Sequence, residues 1–365
     1  MSRLADRYDE SDVRVRPGRR GSRPRTKERP RHEDAVIGTV ITVDRGRYTV
    51  RVEGHLVIAM RARELGRKAA VVGDDVALVG DIRGGPDRLA RIVRIEPRRS
   101  VLRRTADDTD PVERVIVANA DQLVVVTALA DPEPRPRMID RCLVAAYDAG
   151  LTPLLVLTKA DRIDPENPPD VLDMYRPLDV PVVVTSFADD DVVPDDASDT
   201  THLGRHRIVG VEEVRELLTG RVSVLVGHSG VGKSTLVNAL VPDADRATGH
   251  VNDVTGRGRH TSTSAIALEL PVDDEGRRGW IVDTPGVRSF GLAHIDPDRI
   301  VTHFSELAGG LDGCPRGCSH DEEECGLDAW VASGQAGPAG PARLDSLRRL
   351  LRARTEPREH DRPDA

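Results

Sequence analysis

Eight consecutive residues, Gly227-His228-Ser229-Gly230-Val231-Gly232-Lys233-Ser234, form a complete phosphate loop. Its glycines let successive backbone N–H groups converge on a β-phosphate, and the helix that follows offers its positive end. Lys233 would bridge the β- and γ-phosphates, and Ser234, followed by Thr235, would place its hydroxyl on Mg²⁺. Asp283-Thr-Pro-Gly286 begins fifty residues after Lys233. Its Asp suits Mg²⁺, and the Gly286 N–H suits a γ-phosphate. The catalytic candidates are therefore Lys233, Ser234, Asp283 and Gly286.

A third segment, Thr158-Lys159-Ala-Asp161, has the chemistry to read a base. The Asp161 carboxylate can accept hydrogen bonds from guanine N1 and N2, and the Lys159 stem can lie against the ring. Adenine has no such donor pair at that edge, so Asp161 points to GTP. Thr158 stands where Asn is usual, and its hydroxyl can still tie this segment to the phosphate loop. Thr185-Ser186, at the end of the next strand, is placed for a backbone N–H to meet guanine O6. The order is unusual: the base reader precedes the phosphate loop, as in a circularly permuted GTPase.

Between the phosphate loop and Asp283 lies Gly249-His-Val-Asn-Asp-Val-Thr-Gly-Arg-Gly-Arg-His-Thr-Ser-Thr263, a Gly-rich stretch rich in hydroxyls. It reads as a switch in which Thr261, Ser262 or Thr263 reaches Mg²⁺ while the γ-phosphate is present, or as a plain loop. Val287 follows Gly286, where many GTPases place the Gln that orients water, so intrinsic hydrolysis should be slow. His260 is the best substitute here, with RNA contact and an ordinary surface His as the alternatives.

Cys314-x3-Cys318-x-His320-x4-Cys325 offers three thiolates and an imidazole, the closed tetrahedral set of one structural Zn²⁺. Cys142 falls on the apolar side of a predicted helix and reads as core.

Strands and helices must position these groups. Residues 36–104 carry five β-branched runs, which fit a small OB-type barrel. That segment has 15 Arg or Lys against 8 Asp or Glu, in a protein of net charge -8. A basic barrel in an acidic chain reads as a nucleic-acid binder, and at 2% aromatic content it should hold phosphates and shape rather than stacked bases. Residues 13–31 add nine Arg or Lys against Glu28 alone. This reads as a disordered arm, either seeking phosphates or merely solvated. From Asp121 onward, apolar strands alternate with amphipathic helices, the pattern of a parallel sheet covered on both faces. Residues 188–206, with six Asp, read as a polar surface excursion, and residues 342–351 as a packed terminal helix. No apolar run approaches the ~20 residues of a membrane helix, and the N-terminus is charged where a signal peptide would be apolar. The expected location is the cytoplasm, with no membrane partner.

Taken together, residues 36 to about 330 resemble the RsgA family of circularly permuted, ribosome-dependent GTPases. Asp283-Thr-Pro-Gly-Val-Arg-Ser-Phe-Gly-Leu292 and Gly256-Arg-Gly-Arg-His-Thr261 carry the resemblance most closely. Departures are slightly tighter zinc spacings, Ser262 where a second Thr is common, and the acidic excursion. The resemblance implies GTP hydrolysis to GDP and phosphate, stimulated by the 30S subunit, in late maturation of that particle with binding to 16S rRNA.

The expected layout is a multidomain chain: a disordered basic tail (1–35), an OB-fold RNA-binding domain (36–104), a circularly permuted α/β P-loop GTPase domain (105–295), a zinc-binding helical domain (296–355) and a disordered tail (356–365). A monomer is expected. Two other readings stand beside it, a nucleotide-gated RNA-binding module with incidental hydrolysis and an ATP-dependent P-loop enzyme such as a kinase.

Overall fold

The computed structural model describes residues 32–44, 46–65, 69–85, 88–105, 112–164, 166–175, 180–188, 200–203, 206–241, 265–284 and 291–355. The chain divides into Met1–Glu33 and Asp34–Ala365, and all the elements named here belong to the second unit.

Five strands, β1 (Val36–Asp44), β2 (Arg47–Val52), β3 (His55–Arg61), β4 (Asp75–Gly80) and β5 (Ala90–Ile95), pair in the order β1-β2-β3-β5-β4, and β1 pairs with β4 to close a barrel. The β3–β5 pairing is parallel and the others are antiparallel. Val40, Val50, Val57, Val76 and Ile92, each almost fully buried, fill the interior. Gly38 sits where β1 crosses β2. A Cβ there would come within 2.7 Å of the Arg51 carbonyl oxygen, so no side chain fits without moving backbone.

Beyond the barrel, β6 (Val101–Arg104) and β7 (Arg114–Ala118) form a two-stranded sheet of their own among the described residues. The barrel strands thus end at Ile95. Next come β8 (Gln122–Ala128), α1 (Pro136–Asp148), β9 (Thr152–Thr158), α2 (Val171–Tyr175) and β10 (Val182–Val184). All seven residues of β8 are buried, as a strand covered on both faces requires. Cys142, on α1, is fully buried, and burial pushes its thiol up to about 12, the behaviour of an inert core residue.

The stretch read as a polar excursion contains strand structure. β11 (Ser186–Ala188), β12 (Thr200–Leu203) and β13 (His206–Val209) form an antiparallel sheet in the order β11-β13-β12. Residues 189–199, which hold its six Asp, lie outside the described residues.

The chain continues through α3 (Val211–Leu218), β14 (Val222–Gly227), α4 (Lys233–Leu240), β15 (Ile266–Glu269) and β16 (Trp280–Asp283). The sheet order is β10-β9-β8-β14-β16-β15, parallel except for the antiparallel β15–β16 pair. β15 also meets β1 at a single position, Thr42 opposite Ile266, where the Thr42 hydroxyl donates to the Ala265 carbonyl at 3.2 Å. That contact joins barrel and parallel sheet into one eleven-stranded sheet.

Three helices end the described chain: α5 (Pro297–Thr302), α6 (Gly326–Ala332) and α7 (Gly340–Thr355). Asp296 caps α5 by accepting from the Asp298 N–H at 3.0 Å, with Pro297 at the first helical position. Leu344, Leu347 and Leu350 of α7 join Phe304, Leu307 and the buried face of α1 in one core. Among the described residues, no helix is long and apolar enough to cross a membrane.

Candidate functional site

The phosphate loop leaves the C-terminal end of β14 and enters α4 directly, as its chemistry requires. Gly230 and Gly232 adopt φ +83° and +87°, a left-handed backbone that side chains resist. Gly227 packs so closely against β8 that a Cβ would meet the Val126 carbonyl oxygen at 2.6 Å. Val231 is buried, while Ser229 and Ser234 face solvent. Lys233 forms an ion pair with Asp283, at the end of β16. Thr284, the next residue, is buried and donates from its hydroxyl to the Leu225 carbonyl at 2.7 Å, anchoring the end of β16 to β14.

The end of β9 reaches the same place. The buried Thr158 hydroxyl donates to the Val231 carbonyl at 2.5 Å, and Lys159 donates from Nζ to the Asp131 carbonyl. Lys159 has φ +61°, which turns the chain sharply as it leaves the strand. Asp161 Oδ1 accepts from the Phe187 N–H at 3.0 Å, and the Ala160 N–H donates to the Thr185 carbonyl at 3.2 Å. The segments around Thr158, Thr185 and Gly232 therefore share one pocket, lined also by Ser186, Thr235 and Leu236.

Near the C-terminus, the side-chain donor atoms of Cys314, Cys318, His320 and Cys325 all lie within 4.8 Å of one another. Cys314 Sγ is 3.9 Å from Cys325 Sγ and 3.6 Å from His320 Nδ1. Two thiolates at ~2.3 Å from a tetrahedral Zn²⁺ stand about 3.8 Å apart. The spacing and the donor set are compatible with one such ion. His320 reaches its position with φ +66°, and its carbonyl accepts from Arg348 Nε on α7 at 2.7 Å.

Against known proteins, the RsgA GTPase family model matches residues 95–293. A relative from Pseudomonas aeruginosa named small ribosomal subunit biogenesis GTPase RsgA is 37% identical over 293 residues, covering 79% of this chain and 77% of the relative. The chain belongs to the RsgA GTPase family. A Pseudomonas putida protein of the same name is 36% identical, covering 79% of this chain and 76% of its own length. Among solved structures, YjeQ from Thermotoga maritima superposes with a TM-score of 0.61 at 26% identity, covering 88% of this chain and 99% of that one. YloQ, described as a circularly permuted GTPase, gives 0.59 at 21% identity over 90% and 99%, a likeness of fold. As an RsgA-family member the chain is a GTPase, and the early place of β9 relative to β14 is the permuted order in its own strands.

Of the residues singled out in the sequence, Thr158, Lys159, Asp161, Thr185, Ser186, the phosphate loop with Thr235, and Asp283 lie at or just beyond the C-terminal ends of β9, β10, β14 and β16. Gly286, His260, Thr261, Ser262, Thr263 and Val287 lie outside the described residues. Some neighbours escaped sequence reasoning. Arg135, just before α1, places Nη1 2.9 Å from His228 Nε2 on the phosphate loop, and Asp131 receives Lys159. Both lie in the Asp131-Pro-Glu-Pro-Arg135 segment between β8 and α1, which carries no motif of its own. Phe187 is the other, an exposed apolar residue in the pocket that Thr158, Thr185 and Gly232 share.

Proposed function

We propose that this chain binds GTP with Mg²⁺ and hydrolyses it to GDP and phosphate under stimulation by the 30S subunit, in late maturation of that particle. The observation that supports the reading is the junction of β9 with the phosphate loop: Thr158, three residues before Asp161, hydrogen-bonds Val231 of the loop that would hold the phosphates. A base recognised by Asp161 then extends its phosphates toward Gly230, Gly232 and Lys233. Lys233 would exchange its Asp283 partner for phosphate oxygens, freeing Asp283 to join Ser234 in holding Mg²⁺. The ion would neutralise charge building on the phosphates during hydrolysis. Gly286 would sense the γ-phosphate, one of Thr261, Ser262 or Thr263 would close on the ion, and His260 is the proposed water-positioning group.

In the same reading the five-stranded barrel is an OB-type RNA-binding domain, with rRNA phosphates drawn to its basic surplus. Cys314, Cys318, His320 and Cys325 hold one structural Zn²⁺ in a C-terminal helical domain, and the protein works as a cytoplasmic monomer. The names borne by the Pseudomonas relatives support the ribosomal assignment. GTP turnover measured with and without isolated 30S subunits tests it. Stimulation is expected, whereas a rate untouched by 30S would favour a nucleotide-gated RNA-binding module in which hydrolysis is incidental.

A further inference from the structure

The base pocket holds an unexpected side chain. The protein has three Phe in 365 residues, and one of them, Phe187, is 37% exposed at the rim of the pocket that Thr158, Lys159, Gly232 and Leu236 also line. Its own backbone N–H is the group that donates to Asp161 Oδ1. The ring is thus carried on the residue hydrogen-bonded to the carboxylate that would read the base.

The position is built rather than incidental. Phe187 lies on β11 directly opposite Ile208 on β13, and residues opposite each other in an antiparallel pair project from the same face. Ile208 is buried, and it lines the pocket beside Phe187. β13 belongs to the hairpin formed with β12, so the excursion closes back on the pocket with an apolar wall. Guanine held at its polar edge by Asp161 still has two faces to desolvate. The stem of Lys159 is one candidate surface, and Phe187 is the aromatic one. Aromatic rings hold bases through their π faces whatever the base edge presents.

We propose that Phe187 is the stacking platform for the guanine base, braced by Ile208. The proposal rests on the reading of Asp161 as the base-recognising group. It makes Phe187 a binding residue for GTP and GDP alike, with no role in the phosphate chemistry, because its backbone N–H is bonded to Asp161, the group that would read the base.

The test uses the full-length protein and three ligands, GTP, GDP and inorganic triphosphate, the last in competition with labelled GDP. Phe187→Ala removes the ring but keeps the N–H that Asp161 accepts. It should weaken GTP and GDP by about tenfold or more while leaving inorganic triphosphate binding unchanged, and Phe187→Tyr should restore both nucleotides. Unchanged nucleotide affinity in Phe187→Ala overturns the platform and leaves the Asp161 reading standing. An equal loss for inorganic triphosphate also overturns it, because the ring would then be supporting the loop rather than the base. If the wild-type protein binds ATP as well as GTP, the Asp161 reading fails, and the platform for guanine falls with it.

Discussion

The Thr158 hydroxyl and the Val231 carbonyl oxygen are 2.5 Å apart, although 73 residues separate them in the chain. The hydroxyl lies within 3.3 Å of the Thr127 carbonyl as well, so one side chain ties β9 to both the phosphate loop and β8.

Thr158→Val keeps the shape and removes the donor, leaving a buried carbonyl without its partner. Stability should fall by about 1–3 kcal/mol, and GDP affinity should fall with it. Urea unfolding and equilibrium binding measure the two effects, and unchanged values in both would show that the bond does not hold the loop.

The ion pair of Lys233 with Asp283 makes a metal-dependent prediction. In Asp283→Ala, Lys233 no longer has to leave a carboxylate to reach phosphate. GDP should bind in EDTA at least as tightly as it binds the wild type, while the gain from adding Mg²⁺ disappears. A variant that keeps the full Mg²⁺ gain would remove Asp283 from the metal site.

Arg343 of α7 and Asp140 of α1 form an almost wholly buried pair at 2.5 Å. Tyr175 and Ser346 also donate to Asp140, Glu306 accepts from Arg343 at 2.6 Å, and the guanidinium lies 4.2 Å over the Phe304 ring. Burial pushes the Asp140 carboxyl up while Arg343 pulls it back. Arg343→Met strands a buried carboxylate and should destabilise the protein by about 3–5 kcal/mol. Adding Asp140→Asn should recover part of that loss, because the stranded charge goes with it. Strictly additive losses in the two single variants and the double would mean the pair is not coupled.

Burial lowers the pKa of His303, which stacks on Tyr147 with ring centroids 5.9 Å apart. A histidine depressed on folding binds fewer protons than its unfolded counterpart, so its contribution is present above the unfolded value of 6.5 and is lost as pH falls through the folded value. Stability should therefore drop from pH 7 toward pH 5 less steeply in His303→Phe, which keeps the stacking. Parallel pH profiles for variant and wild type would remove His303 from the account.

One equivalent of Zn²⁺ should accompany the purified protein by elemental analysis, and Cys318→Ser should lower that content sharply. The α7 helix leans on this module through Arg348, which pairs with Asp328 at 2.6 Å as well as reaching His320. Metal loss should then increase hydrogen exchange in α6 and α7 before it reaches β8 and β9. Full zinc content in Cys318→Ser would mean that Cys318 is not a ligand.

The legible part of the site was the part whose requirements are local. Glycines at positive φ, a Lys and a Ser at the start of a helix, and an Asp at a strand end each announce their chemistry within a few residues. The buried strands were equally plain, since β8 and β9 centre on the apolar runs at residues 123–126 and 153–157. Long-range pairs were hidden. Nothing in the neighbourhood of Asp140 names Arg343, 203 residues further on. The β12–β13 hairpin was masked by composition, because Thr200-Thr-His-Leu203 follows a run of Asp and lacks a clean apolar alternation. Phe187 directly follows Thr185-Ser186, and only the pairing with Ile208 on β13 makes it part of a wall.

The single pairing of Thr42 with Ile266 bears on how the chain is made. All five barrel strands fall between residues 36 and 95, so the barrel has every partner it needs while most of the chain is still unsynthesised. Domains fold as units from the N-terminus during synthesis. The partner of Thr42 arrives more than two hundred residues later. Until then, the part of the β1 edge that β15 will later cover lies open, and an edge this brief offers little to a wrong strand. One backbone pairing, seconded by the Arg51 guanidinium of β2 on Glu269 of β15 and over the Trp280 ring of β16, docks the finished sheet.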